Sequence, residues 1–314
     1  MSNNLERIFK KLGIPEKYNK TSGLDGYEPD SITFLASPKF IEYVKPYMGA
    51  LILVKEELFD LVKNIKGNIY VKAENPLGVF LQIHNEMNKA KSNLNINQKK
   101  PIHETVVLGN NFEIGPGTKI MPGCVLGNNV KLGENTVVFP NTVIYDNVII
   151  GKNCKLGPNA VIGEEGFRIV KNLKNNMERM KHVGSVLIGD SVEIGSFSSI
   201  NRGTFKDTVI RNHVKIDNNV HIGHNIFIDK NCTVCASSCI GGSTKIGKFC
   251  WIGIGSTITN GINIGENVNI DINSIVVKDV PNNSHIAGFY ARDKWSWFMK
   301  EKDEIRKYKS EKNE

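Results

Sequence analysis

Long apolar runs are missing from this 314-residue chain. No stretch approaches the roughly 18 uninterrupted apolar residues of a membrane-spanning helix, and the opening MSNNLERIFKKLG has no signal-peptide core. A cytoplasmic location is the resulting expectation. Cysteine is scarce, at six residues, and its spacing implies no disulfide framework. Cys232, Cys235 and Cys239 fall close together, but a zinc site needs a second pair or converging histidines, so no metal is expected. Nucleic-acid motifs are also absent. The net charge of +8 is carried by lysines and arginines dispersed along the chain, except in KEKDEIRKYKSEK near the C-terminus, where both signs mix. Such a balance leaves a phosphate-bearing substrate, an acidic protein or an anionic surface as candidate partners.

What the chain does have is a six-residue step. Aliphatic residues recur without a miss from Ile102 through Leu108, Ile114, Ile120 and onward to Ile162. They return at Ile188, Ile194 and Ile200, slip by four residues, and run again from Ile210 to Val276. Neither the 3.6-residue helical period nor strand alternation produces this spacing. Short strands joined by tight turns do, with three steps to a coil and one aliphatic side chain per face pointing inward. The repeat predicts a mainly β protein built on a parallel β-helix. Cys124, Cys154, Cys232 and Cys250 each lie two residues before a step, as small core residues would.

Three regions depart from the repeat. Residues 1–100 carry helix- and strand-like patterns and read as a small α/β domain: NLERIFKKLGI as a helix, SITFLAS, GALILVKEEL and GNIYVKA as strands, PLGVFLQIHNEMNKAK as an outgoing helix. KAKSNLNINQKKP is a polar linker. The β-helix occupies 101–280, with an inserted loop at 163–187, too long for a turn and too short for a domain, as expected of a site or an intersubunit contact. Residues 281–314 read as an exit segment and a short helix whose Trp295, Trp297 and Phe298 cover the end of the β-helix or offer a docking face.

At the level of motif strings the chain resembles the UDP-3-O-acylglucosamine N-acyltransferase family of hexapeptide-repeat, left-handed β-helix acyltransferases. The resemblance rests on SITFLASPKF, GEEGF, VLIGDSVEIGSFSSINRG, VKIDNNVHIGHN and IAGFYARDKWSW. It implies the left hand of the helix, a homotrimer with sites between adjacent β-helices, and a 3-hydroxyacyl group moved from an acyl thioester to the amine of a nucleotide-linked amino sugar. Acyl-ACP or acyl-CoA would be the co-substrate, with no permanently bound cofactor.

The family's catalytic histidine falls on His224. An imidazole titrates near neutral pH and suits removal of a proton from the attacking amine. The resemblance places Asp217 as the residue orienting the ring. Asn218 and His221 fall on the acyl-donor site, and Gly242, one coil after His224, is the glycine whose N–H receives the oxyanion. Phe34 and Phe40 fall where aromatics hold the uracil, although Phe34 also suits a core position; Ser37 falls at a base-reading position. The chain departs from the family at Phe40 (usually tyrosine), Ser37 (asparagine), His221 (glutamine), Asn201 (aspartate) and Gly261 (a second histidine). These departures leave two other expectations open. One is a paralogue acylating a (d)TDP- or UDP-linked amino-deoxysugar with acyl-CoA; the other is a non-catalytic β-helix scaffold.

Overall fold

The computed structural model describes residues 2–89 and 100–288, together with 299 and 302. The linker after residue 89 lies largely outside the described residues, as does the expected C-terminal helix with Trp295, Trp297 and Phe298. The chain forms two compact units, Met1–Asn97 and Gln98–Glu314.

The first unit is built on four parallel strands in the order β1 (Lys20–Thr21), β2 (Ser31–Leu35), β3 (Leu51–Val54), β4 (Ile69–Lys72). Its helices are α1 (Asn3–Leu12), α2 (Glu56–Val62) and α3 (Pro76–Met87). The continuous apolar run LILV is a strand covered on both sides. Leu51 and Leu53 join Leu5, Phe9 and Ile83 in one core, while Ile52 and Val54 join Leu58 and Val62 in another. The strand expected over GALILVKEEL stops at Val54, because Glu56 and Glu57 occupy the first turn of α2, where carboxylates suit the helix dipole. Ser37 caps a short 3₁₀-helical segment, Pro38–Tyr43, that also escaped the sequence reading.

The second unit is a parallel β-helix of three sheets with nine, nine and eight strands. Successive hexapeptides take the three faces in turn: Lys119–Ile120 on the first, Val125–Leu126 on the second, Lys131–Leu132 on the third. Residues 18 apart therefore stack, as in Ile120, Val138 and Leu156. The inward row from Ile120 to Ile270 is almost wholly removed from water. Each such aliphatic contributes about 1.5–3 kcal/mol of burial free energy. Two residue types shape the corners. Asparagines such as Asn129, Asn147 and Asn225 take the left-handed backbone conformation, which asparagine tolerates better than most residues. Glycines such as Gly133 sit one residue after the step because a Cβ there would lie 2.5 Å from the Gly151 carbonyl carbon of the next coil. Cys124, Cys154, Cys232 and Cys250 are buried in this core, while Cys239 is exposed, so the cysteines near residue 235 do not converge on one point. Among the described residues no helix is long and apolar enough to cross a membrane.

Candidate active site

Every interruption of the hexapeptide rhythm falls at one corner, between the second and third faces. The inserted loop leaves the second face after Val161–Glu164 and rejoins the third at Val186–Ile188. One coil on, the four-residue slip lies between Ser199–Asn201 and Thr208–Ile210; one further, His224 lies between His221–Ile222 and Phe227–Ile228. Parallel stacking thus brings three segments, spread over about sixty residues, onto one edge.

Arg202 fastens the slip segment to the root of the inserted loop. Its guanidinium donates to the carbonyls of Gly163 and Asp146, each at 2.6 Å. The returning arm of the loop then pairs with the slip segment, Val183 N–H donating to Thr204 O and Gly184 N–H to Gly203 O. Between its roots the loop forms an antiparallel hairpin, Ile169–Lys171 with Met177–Arg179.

The half-buried His224 ring is held in one orientation. Asn225 Nδ2 donates to the Lys206 carbonyl at 2.8 Å, and Asn225 Oδ1 accepts from Thr204 N–H at 2.9 Å, which settles which way the amide points. That oxygen also lies 2.9 Å from His224 Nδ1. An amide oxygen only accepts, so Nδ1 carries the proton and the lone pair is on Nε2. Nε2 in turn lies over Gly242: a Cβ built on that glycine would stand 2.7 Å from it. The Gly242 N–H has no hydrogen-bond partner among the described residues. His224, Gly242, His221, Asn201, Asn260 and loop residues Phe167 and Arg168 line a groove of about 510 Å³.

His221 points outward from the second face, its Nδ1 2.9 Å from the Ser199 hydroxyl. Its outer edge is open, yet neighbouring atoms desolvate it enough to lower its pKa, with the Glu164 carboxylate opposing. The reading of Asp217 as the residue orienting His224 needs correction within a single chain. Asp217 follows Lys215–Ile216 and stands at the corner between the first and second faces. Its oxygens accept from Asn218 N–H (2.7 Å) and Ala236 N–H (3.2 Å), so the ring's partner is Asn225 instead. Asn218 stands at the same corner, its Oδ1 accepting from Ser196 N–H. Gly261, at the position of a second family histidine, has φ +76° and nothing within 4 Å of a built Cβ.

Sequence reasoning missed Asn225, Thr204, Arg202 and His182. Asn225 was in plain view beside His224, and the other three belong to the two segments that break the period. His182, on the returning arm, is almost wholly buried and meets His224 edge-on with ring centroids 5.2 Å apart. Burial pushes its imidazole below the ordinary value; the Met180 carbonyl opposes this and His224 adds to it.

In the first unit, Phe34 and Phe40 line a separate cavity of about 300 Å³ with Leu24, Asp25, Ala36 and Tyr43. Phe34 also packs on Phe80 at 4.9 Å, so it serves the core and the cavity together. Phe40 is half exposed, with Tyr43 6.3 Å away. The Ser37 hydroxyl accepts from Lys39 N–H and caps the turn that carries Phe40.

Comparison with known proteins agrees with this architecture. The family described as "Bacterial transferase hexapeptide (six repeats)" matches residues 105–139 and 130–164. A UDP-3-O-acylglucosamine N-acyltransferase of Prochlorococcus marinus is 41% identical over 230 residues, covering 67% of this chain and 65% of that protein. One of the same name from Campylobacter concisus is 44% identical over 190 residues, 59% of each chain. The chain thus covers less than two thirds of these curated relatives. Among solved structures, the Francisella novicida UDP-N-acetylglucosamine acyltransferase superposes with a TM-score of 0.55 at 26% identity, over 60% of this chain and 66% of that one. Over residues 105–164 the chain carries the matched hexapeptide repeat, and in sequence and in its three-sheet coil it is similar to these acyltransferases.

Proposed function

We propose that the protein is an N-acyltransferase that moves a 3-hydroxyacyl group from an acyl carrier protein or CoA thioester to the amine of a nucleotide-linked amino sugar. UDP-3-O-acylglucosamine, the acceptor named for its relatives, is the substrate of choice. The observation that carries this reading is the His224 tautomer: Nδ1–H is engaged by Asn225, and the free Nε2 lies over Gly242 in an open groove.

The chemistry follows from that arrangement. The amine lone pair attacks the thioester carbonyl while His224 Nε2 takes the amine proton. The oxyanion accepts from the Gly242 N–H. Collapse breaks the C–S bond, and the imidazolium returns its proton to the departing thiolate, giving amide and thiol. No acyl-enzyme and no permanently bound cofactor enter the scheme. The cavity of Phe34 and Phe40 would take the nucleotide base by stacking. Asp217, Asn218 and His221 complete the donor site in a homotrimer, where the corner bearing Asp217 in one copy meets the corner bearing His224 in the next. The segment KEKDEIRKYKSEK supplies basic residues for an acidic carrier.

Purified protein given UDP-3-O-acylglucosamine and a 3-hydroxyacyl thioester on either carrier forms the amide, read by mass spectrometry. Turnover only with an amino-deoxysugar nucleotide would move the assignment to a paralogue, and tight nucleotide-sugar binding without turnover would leave a scaffold. Co-folding Asp217→Asn and His224→Ala chains in equal amounts tests the shared site. Random trimers should regain about one quarter of wild-type activity from two inactive parents, and no recovery would place Asp217 outside the site.

A further inference from the structure

His182 is a polar residue where packing alone asks for an apolar one. Its Nδ1 lies 2.9 Å from the Met180 carbonyl, which only accepts, so Nδ1 carries the proton and Nε2 the lone pair. That Nε2 is buried and has no hydrogen-bond partner among the described residues. Unpaired buried acceptors are destabilising and uncommon in native proteins. This one lies against His224. A Cβ built on Gly166 would stand 2.8 Å from His182 Nε2 and 3.1 Å from His224 Cβ and Cδ2, so the lone pair and the base's ring edge meet at a glycine with no room for a side chain. The hydrogen bonds of Val183 and Gly184 to the slip segment hold His182 in place.

We infer that His182 is a positioning residue for His224, keeping its ring over Gly242 and favouring its protonated form as the amine gives up its proton. Once His224 takes the proton, its C–H and N–H edges become more positive, and its neighbour on the returning arm of the loop is an imidazole with an unengaged lone pair and a π face. The charged and titratable groups facing His182 are Glu165 and Arg168 of the outgoing arm and His224 itself. Beside His224 and His221 of the coil, the inserted loop brings an imidazole of its own to this site.

The inference rests on His224 being the base, and the test keeps the two apart. With UDP-3-O-acylglucosamine and a 3-hydroxyacyl thioester, His182→Phe keeps the ring shape and removes the lone pair. Its kcat should fall about three- to tenfold, as for loss of one weak polar contact, with both KM values little changed and the acid limb of the kcat profile moved to lower pH. His182→Gln keeps a donor for Met180 and an acceptor toward His224, and should recover most of the rate and the position of the limb. Gly166→Ala, which forces the two rings apart, gives an independent measurement and should reproduce the loss. A His182→Phe enzyme with wild-type kcat and an unmoved acid limb, or one that only melts earlier, overturns the inference. Near-normal turnover by His224→Ala is a different result and removes the base itself.

Discussion

Gly242→Ala should disable the enzyme without unfolding it. The glycine's φ lies outside the left-handed region, so alanine carries no backbone penalty there. The added methyl would stand 2.7 Å from His224 Nε2, 2.9 Å from Cε1 and 3.0 Å from Cδ2. Ordinary carbon–nitrogen contacts are roughly 3.5 Å, so the ring must retreat by about 0.5–1 Å. That movement stretches the 2.9 Å contact between Nδ1 and Asn225 and takes Nε2 off its station. A misplacement of this size costs about 10²-fold in rate, within the range of about 10²–10⁴ that a positioned base supplies. Stability should change by less than about 1.5 kcal/mol, because the half-exposed ring can swing toward the groove. Gly261→Ala is the opposite case. Its Cβ meets nothing within 4 Å, but φ is +76°, so it should lose about 1–2 kcal/mol of stability and keep its rate. The assay pairs saturating kcat with thermal melting for both variants. A Gly242→Ala enzyme within threefold of wild type would refute the placement of Nε2 over this glycine.

Asn225→Ala removes the acceptor that keeps the proton on Nδ1 and should lower kcat by about 10²-fold with KM little changed, measured by steady-state kinetics. Phe40→Ala should raise KM for the nucleotide sugar about five- to tenfold at constant kcat, and equal KM values would free that cavity of the role. Stability should also fall on acidification. His182 has a folded pKa below its unfolded value of about 6.5, so the unfolded chain binds the proton first. The folded state loses ground as pH falls through that value, and the loss levels off below the folded pKa. Melting from about pH 7 to about pH 5 should show this drop, reduced in His182→Phe.

The six-residue period was enough to predict the coil, because an aliphatic at every sixth position has nowhere to go but inward against the coils above and below. Ile216, Ile222 and Ile228 did so, each almost wholly buried. The fate of LILV in the first unit was legible for the same reason, whereas the start of α2 at Glu56 hung on end effects too local for the pattern. The polar residues of IDNNVHIGHN could be named from sequence but not assembled. Asp217 and His224 lie seven residues apart in the chain and at two different corners, since each hexapeptide turns the backbone onto a new face. His224 and Gly242 lie 18 apart and touch, since that is one full coil. Hydrogen bonding of a particular amide to Lys206 O and Thr204 N–H decided the His224 tautomer. The pairing of Val183 and Gly184 with the slip segment decided that His182 would lie against it. Both depend on segments that leave the repeat. There the periodic constraint stops acting, and hydrogen bonds between distant residues determine the path of the chain.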